Sequence, residues 1–493
     1  MSLLGIDVGT SVCKVAVFSE DGTCLAMHQR EYDSMHPGLG QAELPMQAVW
    51  ADVQEIVAAA AASTVTDPVS AISVSSMGEA VVPVTRNREI LANSIMSTDP
   101  RGLAHAKALE DEIGAEAAYL ITGNIVGPNF SLAKLMWIRQ SSPSLFEAAD
   151  FFLPVSECIA YLLGAEPAYS QSQACRTLLY DVYRGEWSRR LFDWSGLDKL
   201  KFPPIATGGS VIGQLSTAVA TTLGLRPGIP IVAGGHDQCP TALGCGCIRT
   251  GMAACGLGTF QCISPLFEMP ADPIEMLRNS LNIENHVLPG LYIAFIYNQA
   301  GSLVKWFRNT FAADHREEAG IYDRLNREIP TAPTDLLVLP HFEPPQWPAY
   351  VGDSSGAIIG LRTDTTRGEI LKGIMECASL YLFSGAEALR ELGQPLQSLV
   401  AVGGGAKSDA WVQINADIFG LPVVRPKMSE AGLVGAAMLA GLATGAFGSA
   451  EEAAERMVKV ERVFEPNASN HEIYSAKGRR LSKVYPTLRG LLS

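Results

Sequence analysis

Two short stretches carry the residue types that proton and phosphate chemistry require. In the first, an apolar run from Ile229 to Ala233 reads as a buried strand ended by Gly234 and Gly235, and the turn delivers Asp237 to the strand's carboxyl edge. Ligands of open α/β sheets gather at that edge. In the second, residues 252–264, an apolar strand breaks at Gly256, Gly258 and Thr259. Glycines there let backbone N–H groups approach an anion, and the threonine hydroxyl adds a donor. A carboxylate base beside a phosphate cradle is the pair that phosphoryl transfer to an alcohol needs. Taken alone, a Gly-Gly turn with an aspartate is more often the mark of a solvated loop, so the rest of the chain has to decide.

Two further turns are of the same kind. Asp7 ends the first strand, Gly9 opens the backbone, and Thr10, Ser11 and Lys14 follow. Such a turn wraps phosphate oxygens while Asp7 faces the accompanying Mg²⁺ through water; a plain hairpin with polar tips fits it as well. Near the other end, Leu399 to Val402 runs into Gly403, Gly404, Gly405, Ala406, Lys407 and Ser408, with Ser408 placed to cap a helix. A strand, a glycine turn and a helix N-terminus make a nucleotide-facing corner, and a tight turn alone requires one glycine, not three. Charged and polar groups at other strand ends, Glu79 after Met77 and Gly78, then Asp99 and Arg101, either meet sugar hydroxyls or are solvated loop charges. Asn129 stands in a Gly-Pro-Asn-Phe loop before a helix.

The elements that must position these groups follow from periodicity. A strand–hairpin pattern fills residues 3–29, with Glu20-Asp21-Gly22 as the hairpin turn. Amphipathic helices are predicted over 47–62, 102–113, 298–309, 366–392 and 431–444, and buried strands over 71–75, 336–340 and 399–402. Residues 342–360 read as a Pro/Gly/aromatic loop, and the chain after 444 as helical, charged and peripheral. A composition shift at Gly244 to Gly251 marks a boundary, giving domains 1–246 and 247–493. The second begins with strand, Gly-Thr turn, strand, echoing Gly9-Thr10 in the first and hinting at two related lobes.

The 493 residues, 47% hydrophobic and 18% charged, are those of an ordinary globular enzyme with two to four domains' worth of chain. A net charge of −14 without a basic block argues against nucleic acid and anionic membrane as partners. No secretory-signal pattern and no uncharged run approaching the roughly 18 residues of a membrane span are present. The ten cysteines are scattered without a Cys-x-x-Cys pair, as expected of reduced, buried thiols in a cytoplasmic protein.

Taken in order, Gly5-Ile-Asp-Val-Gly-Thr10, Gly235-His-Asp-Gln238, Gly256-Leu-Gly-Thr259, Gly356 to Leu361 and Val402 to Ser408 resemble the FGGY family of carbohydrate kinases, within the actin/hexokinase/Hsp70 ATPase superfamily. The similarity covers nearly the whole chain. It implies an α/β fold of two actin-like lobes, each with a mixed central sheet of the ribonuclease H kind, hinged around a cleft with ATP mostly against the second. In that pattern Asp237 matches the catalytic base and Asp7 the acidic group that organises Mg²⁺. Gly9, Thr10, Ser11 and Lys14 match the first phosphate turn, Gly258 and Thr259 the second, and Gly403, Gly404, Gly405, Ala406 and Ser408 the adenosine corner. A homodimer is the family habit.

The expected substrate-facing groups are Met77, Gly78, Glu79, Asp99, Arg101, Asn129, His236, Asp237 and Gln238. Xylulokinases show Gln-Met-His-Gly where this chain has Ser76-Met77-Gly78-Glu79, and glycerol kinases show Arg-Glu there. Phe260 stands where a Ser is usual after the second Gly-Thr. A neutral ketose or alditol of the pentose class is expected first, since no Arg/Lys cluster is evident to hold an acid. Glycerol, another polyol or gluconate is the alternative within the family. An acyl kinase or a nucleotide-binding regulator without sugar chemistry is the alternative outside it.

Overall fold

The computed structural model describes residues 2–342 and 355–492. The loop expected over 342–360 therefore lies mostly outside the described residues. The chain divides into two compact units, one of 1–248, 282–293 and 430–459, the other of 249–281, 294–429 and 460–493. Where the sequence indicates one boundary near 246, two later segments return to the first unit.

The first unit is built on six strands. β1 (Ser2–Val8), β2 (Val12–Ser19) and β3 (Cys24–Glu31) form an antiparallel meander. After helix α1 (Met46–Ser63), β4 (Val69–Ser76) lies parallel to β1. β5 (Val211–Gln214) and β6 (Pro230–His236) complete the order β5-β6-β4-β1-β2-β3, with β6 parallel to β4 and β5 antiparallel to β6. Leu3, Leu4, Ile6 and Val8 of β1 are all buried because both faces of the strand are covered. Leu4, Ile6 and Val8 join the core that Val49, Val53, Ile56 and Val57 of α1 enter. Helix α2 (Gln238–Gly244) follows β6 directly.

Gly234 and Gly235 do not end β6, contrary to the sequence expectation; they lie inside it, at a register irregularity. A Cβ at Gly234 would stand 2.1 Å from the Val74 carbonyl oxygen, so these glycines permit close strand contact rather than a turn.

The second unit repeats the plan. β7 (Met252–Leu257), β8 (Phe260–Phe267) and β9 (Ile296–Gln299) form an antiparallel meander. Helices α3 (Gly301–Phe311) and α4 (Arg367–Glu391) come next, α4 opening on a Thr366/Glu369 capping box. β10 (Ser398–Val402) lies parallel to β7, and after helix α5 (Asp409–Phe419), β11 (Val423–Pro426) lies parallel to β10. Helix α6 (Ala431–Thr444) then returns to the first unit, and β12 (Val460–Phe464) closes the second sheet antiparallel to β11. From meander to edge, both sheets run antiparallel, antiparallel, parallel, parallel, antiparallel. The echo between the two Gly-Thr turns is thus a repeat of strand directions across the sheet, although the edge strand comes before its neighbour in the first unit and after it in the second. The helix predicted over 298–309 is in fact the end of β9 followed by α3, since Gln261, Asn298 and Gln299 are buried in strand pairing.

The chain after 444 is not peripheral. Tyr474 and Lys477 of helix α7 (Ala468–Leu481) are buried, and both bond the Glu376 carboxylate of α4, Lys477 at 2.5 Å. Surface composition at the sequence level conceals one inward stripe.

Helix α6 lies on the face of β1 opposite α1. A Cβ at Gly5 would come within 2.5 Å of the Leu433 carbonyl oxygen. A Cβ at Gly435 would lie 1.8 Å from the Pro240 carbonyl, and one at Gly244 would lie 1.8 Å from that of Ala431. The two helices therefore cross backbone to backbone through glycine. Gly435→Ala is expected to destabilise the first unit by about 1–3 kcal/mol through overpacking, read as a lowered melting temperature. Gly490→Ala, where nothing lies within 4 Å, serves as the unaffected control.

Candidate functional site

Strand register gathers the candidate chemistry at one edge. β1, β4 and β6 are parallel, with Asp7 opposite Ser75, Ser75 opposite Gly235, and Ser76 opposite His236. The carboxyl ends of three adjacent strands thus present Asp7, the Ser76–Glu79 segment, and His236 with Asp237, the edge at which open α/β sheets bind ligands. Gly5 and Asp7 share the face of β1 toward α6, and a Cβ at Gly432 would sit 3.7 Å from Asp7 Oδ2. Asp7 Oδ1 accepts a 2.7 Å bond from Ser75 Oγ. Lys14, paired across the strands with Asp7, donates at 2.6 Å to Glu430 just before α6.

Asp237 occupies the N-cap position of α2 without using its side chain as a cap. Its carboxylate, 26% exposed, receives a 3.3 Å bond from Gln238 Nε2, a bond from the Gln238 backbone and a 3.4 Å contact from His236 Nε2. Burial, then the charges of Asp7 and Glu79, push its pKa up to about 8. Burial likewise raises Asp7, against the pull of Ser75 and Lys14. His236 is driven well below its ordinary value by burial and by Arg176, so the imidazole is neutral and its contact with Asp237 is dipolar, not an ion pair.

The remaining expected substrate groups divide. Glu79, held in a left-handed conformation (φ 63°), bonds through Oε1 to Arg176, which also bonds Glu284. Arg176 lies 4.8 Å over the Phe130 ring. Gly78 and the buried Met77 abut this cluster, and Gln173 donates to the carbonyls of Ser76 and Met77. Asn129 is half-buried, and its backbone carbonyl takes a 2.8 Å bond from Lys134. Asp99 and Arg101 are engaged elsewhere. The Asp99 carboxylate accepts from the backbone N–H of Ala42 and Arg101 and from the Arg101 guanidinium, which also reaches Glu43 at 2.8 Å and lies 5.0 Å over Trp137. These two hold a loop together and present no open group.

In the first unit, Gly9 closes the β1–β2 turn by bonding Val12, and Tyr32 donates to the Gly9 carbonyl at 2.6 Å. The turn leaves Thr10 and Ser11 exposed with open hydroxyls. In the second unit, Gly258 and Thr259 make the topologically matching turn between β7 and β8. Their carbonyls accept from Gly301 and Ser302, so the turn also seats the start of α3. Phe260 is 44% exposed and packs edge-on to Tyr297.

Of the three glycines after β10, Gly403 is required by its φ of 88°, and Gly405 because a Cβ would meet the Trp411 ring at 2.8 Å. Gly404 faces open space. Ser408 Oγ accepts from the Trp411 N–H as the cap of α5 and donates to Asn326 at 2.9 Å, so its hydroxyl serves the helix. Ala406 is buried, its carbonyl bonded by Arg425.

The donor set suits a hard cation held by one carboxylate together with phosphate and water oxygens, since Asp7 keeps Oδ2 free of protein partners. In the first unit the open hydroxyls of Thr10 and Ser11 suit phosphate oxygens, and in the second the backbone at Gly404 is unobstructed. Sequence reasoning missed Arg176, Glu284, Glu430 and Lys134. Arg176 follows the short polar Gln171–Cys175 helix, and Glu284 and Glu430 reach the first unit from far along the chain.

Comparison with known proteins bears on this edge and these turns. Residues 2–244 match the model of the N-terminal domain of the FGGY family of carbohydrate kinases, and residues 254–444 that of its C-terminal domain. A xylulose kinase of Staphylococcus epidermidis is 27% identical over 477 residues, 96% of this chain and 94% of that protein. An autoinducer-2 kinase of Escherichia coli is 28% identical over 510 residues, 99% and 95% of the two chains. The crystal structure of a xylulose kinase from Rhodospirillum rubrum superposes with a TM-score of 0.90 at 25% identity, covering 100% and 99%. Among the described residues no helix is long and apolar enough to cross a membrane.

Raised carboxylates imply a pH signature. Folded Asp7 and Asp237 retain protons that the unfolded chain, with ordinary values near 4, has released. Their contribution is therefore fully present below about pH 4 and is lost as pH rises through the folded values. In urea titrations of the unliganded protein from about pH 5 to pH 8.5, the contribution of this pair falls with pH, and Asp237→Asn flattens that part of the slope.

Proposed function

Because the chain belongs to the FGGY family of carbohydrate kinases, we propose that it phosphorylates a hydroxyl of a pentulose, with Asp237 as the general base. It is a phosphotransferase with an alcohol group as acceptor, and it uses ATP with Mg²⁺. The observation that carries the assignment of the base is the strand-end row: one carboxylate that caps nothing, its basicity raised by burial and by Asp7 and Glu79. Bound Mg²⁺ would neutralise charge on the transferring phosphoryl group. Asp237 takes the proton from the substrate hydroxyl as that oxygen attacks, a task suited to a base poised near neutrality. Asp7, fixed by Ser75, is the residue that would hold that cation. Gly9, Thr10, Ser11 and Lys14, with Gly258, Thr259 and Gly403 to Ala406 of the second unit, are assigned to the nucleotide, and Ser408 to shaping that corner.

The acceptor is read as neutral. Asp237, Glu79 and Glu284 crowd the sugar side of the row, and Arg176 is already shared between two of them. A carboxylate-bearing substrate such as gluconate would meet net negative charge, whereas hydroxyls find acceptors at Glu79 and Asp237 and amides at Asn129 and Gln238. The S. epidermidis and R. rubrum relatives support a pentulose, and the E. coli relative supports autoinducer-2 as the second choice. Eight of the ten cysteines are buried, Cys24 and Cys262 only partly, and the cytoplasm is the location assigned to the chain.

Coupled ADP release over a panel of ketoses, alditols, glycerol, gluconate and autoinducer-2 tests the substrate. The highest kcat/KM is expected for a pentulose, and a preference for gluconate would overturn the neutral reading. Asp237→Asn should lower kcat by about 10²–10⁴-fold with ATP affinity by calorimetry nearly unchanged. In the wild type, kcat/KM for the sugar should fall on the acid side with an apparent pKa above the usual carboxylate range, because the base must be ionised to act.

A further inference from the structure

Beside the base lies an ion-pair bridge that the mechanism does not use. Arg176 follows the Gln171–Cys175 helix with its side chain 12% exposed, and its two terminal nitrogens bond Glu79 on one side and Glu284 on the other. Phe130 covers one face of the guanidinium. A Cβ at Gly78 would come within 2.8 Å of Arg176 Cγ and 3.1 Å of His236 Cδ2, so the bare backbone at 78 is what makes room for the arginine.

Glu284 is the unexpected partner. It is fully buried and belongs to the 282–293 segment, which returns to the first unit from the second half of the sequence. That segment is anchored on both sides of Glu284: Ile283 bonds Gly123 at 2.7 Å, and His286 reaches the Cys239 carbonyl at 3.1 Å. Asn282 donates to Glu284 Oε1 at 2.8 Å. A buried carboxylate held this firmly has one physical consequence for the site. With Glu284 present, the cation beside Glu79 and His236 is matched by two anions; without it, one terminal nitrogen of Arg176 would lose its carboxylate and the pair with Glu79 would be left as one cation to one anion. The other buried cation nearby, Lys134, is turned onto the carbonyls of Ser97, Pro128 and Asn129.

We propose that Glu284 and Arg176 are positioning residues that set acceptor specificity: Glu284 keeps Arg176 neutralised so that acids are refused, and Arg176 holds Glu79 Oε1 so that Oε2 is left to accept a substrate hydroxyl. The inference rests on the reading of this edge as the sugar site. Arginine is the residue for this task because its planar fork engages two carboxylates at once, which a lysine cannot do in the same geometry.

The test compares a pentulose and its matched aldonate as acceptors in the wild type, Glu284→Gln, Glu284→Asp and Arg176→Gln, each checked for an unchanged melting profile. Glu284→Gln should raise the aldonate-to-pentulose ratio of kcat/KM by at least about tenfold, chiefly through a lower KM for the aldonate. Glu284→Asp keeps the charge and should keep the wild-type ratio. Arg176→Gln should raise KM for the pentulose about tenfold with a smaller change in kcat and none in KM for ATP. Should Arg176→Gln fail to fold, the Glu284 pair alone decides. A well-folded Glu284→Gln with an unaltered ratio overturns the proposal while leaving the kinase reading intact. A wild type that accepts the aldonate and no neutral sugar overturns both.

Discussion

Mutual repulsion among buried carboxylates is the constraint around which the first unit is arranged. Asp7, Glu79 and Asp237 reach one sheet edge because three parallel strands end there in register. Left to themselves, such charges would scatter or take up protons. Each instead has a local reply: Ser75 and Lys14 for Asp7, Arg176 for Glu79, and only weak donors for Asp237. The carboxylate left least satisfied is the one assigned to remove a proton. Strain follows the same logic, since Glu79 is one of few non-glycine residues with a left-handed backbone, and its carbonyl is fixed by Ser131.

The second unit solves a different problem with the same sheet. Its meander turn, Gly258-Thr259, stands where Gly9-Thr10 stands in the first, but it is braced by α3, whereas the first is braced by Tyr32. Behind its meander the buried Gln261 bonds Asn415 and Ser379, where the first unit has a carboxylate row. The same pattern of strand directions thus carries carboxylates at a sheet edge in one unit and a buried amide cluster in the other.

Legibility in the sequence tracked locality. Asp7, Asp237 and the glycine turns could be read because strand-end chemistry is written within a few residues of the strand itself. Helices α1, α4 and α6 appeared at nearly their observed limits because their apolar spacing is local too. What could not be read depended on distant partners. Gly234 and Gly235 looked like a turn because nothing in the chain near them reveals Val74 pressing from the next strand. Lys477 and Tyr474 looked peripheral because the buried Glu376 they meet lies far earlier in the sequence. Ser408 and the three glycines carried both kinds of meaning, and the structure separates them: Gly403, Gly405 and Ser408 shape the corner, while Gly404 lines it.

The returning segments also dictate how this molecule is made. Glu430, the partner of Lys14, lies 416 residues downstream, and α6, which covers one face of β1, is synthesised with it. A nascent amino-terminal half therefore leaves the ribosome with an uncovered apolar sheet and an unmatched lysine, and it stays so until most of the polypeptide has been translated. Long-range closure of this sort is slow and exposes sticky surface meanwhile. The amino-terminal half is in this sense not an autonomous module, since the helix that covers its sheet belongs to the last segment of that unit to emerge.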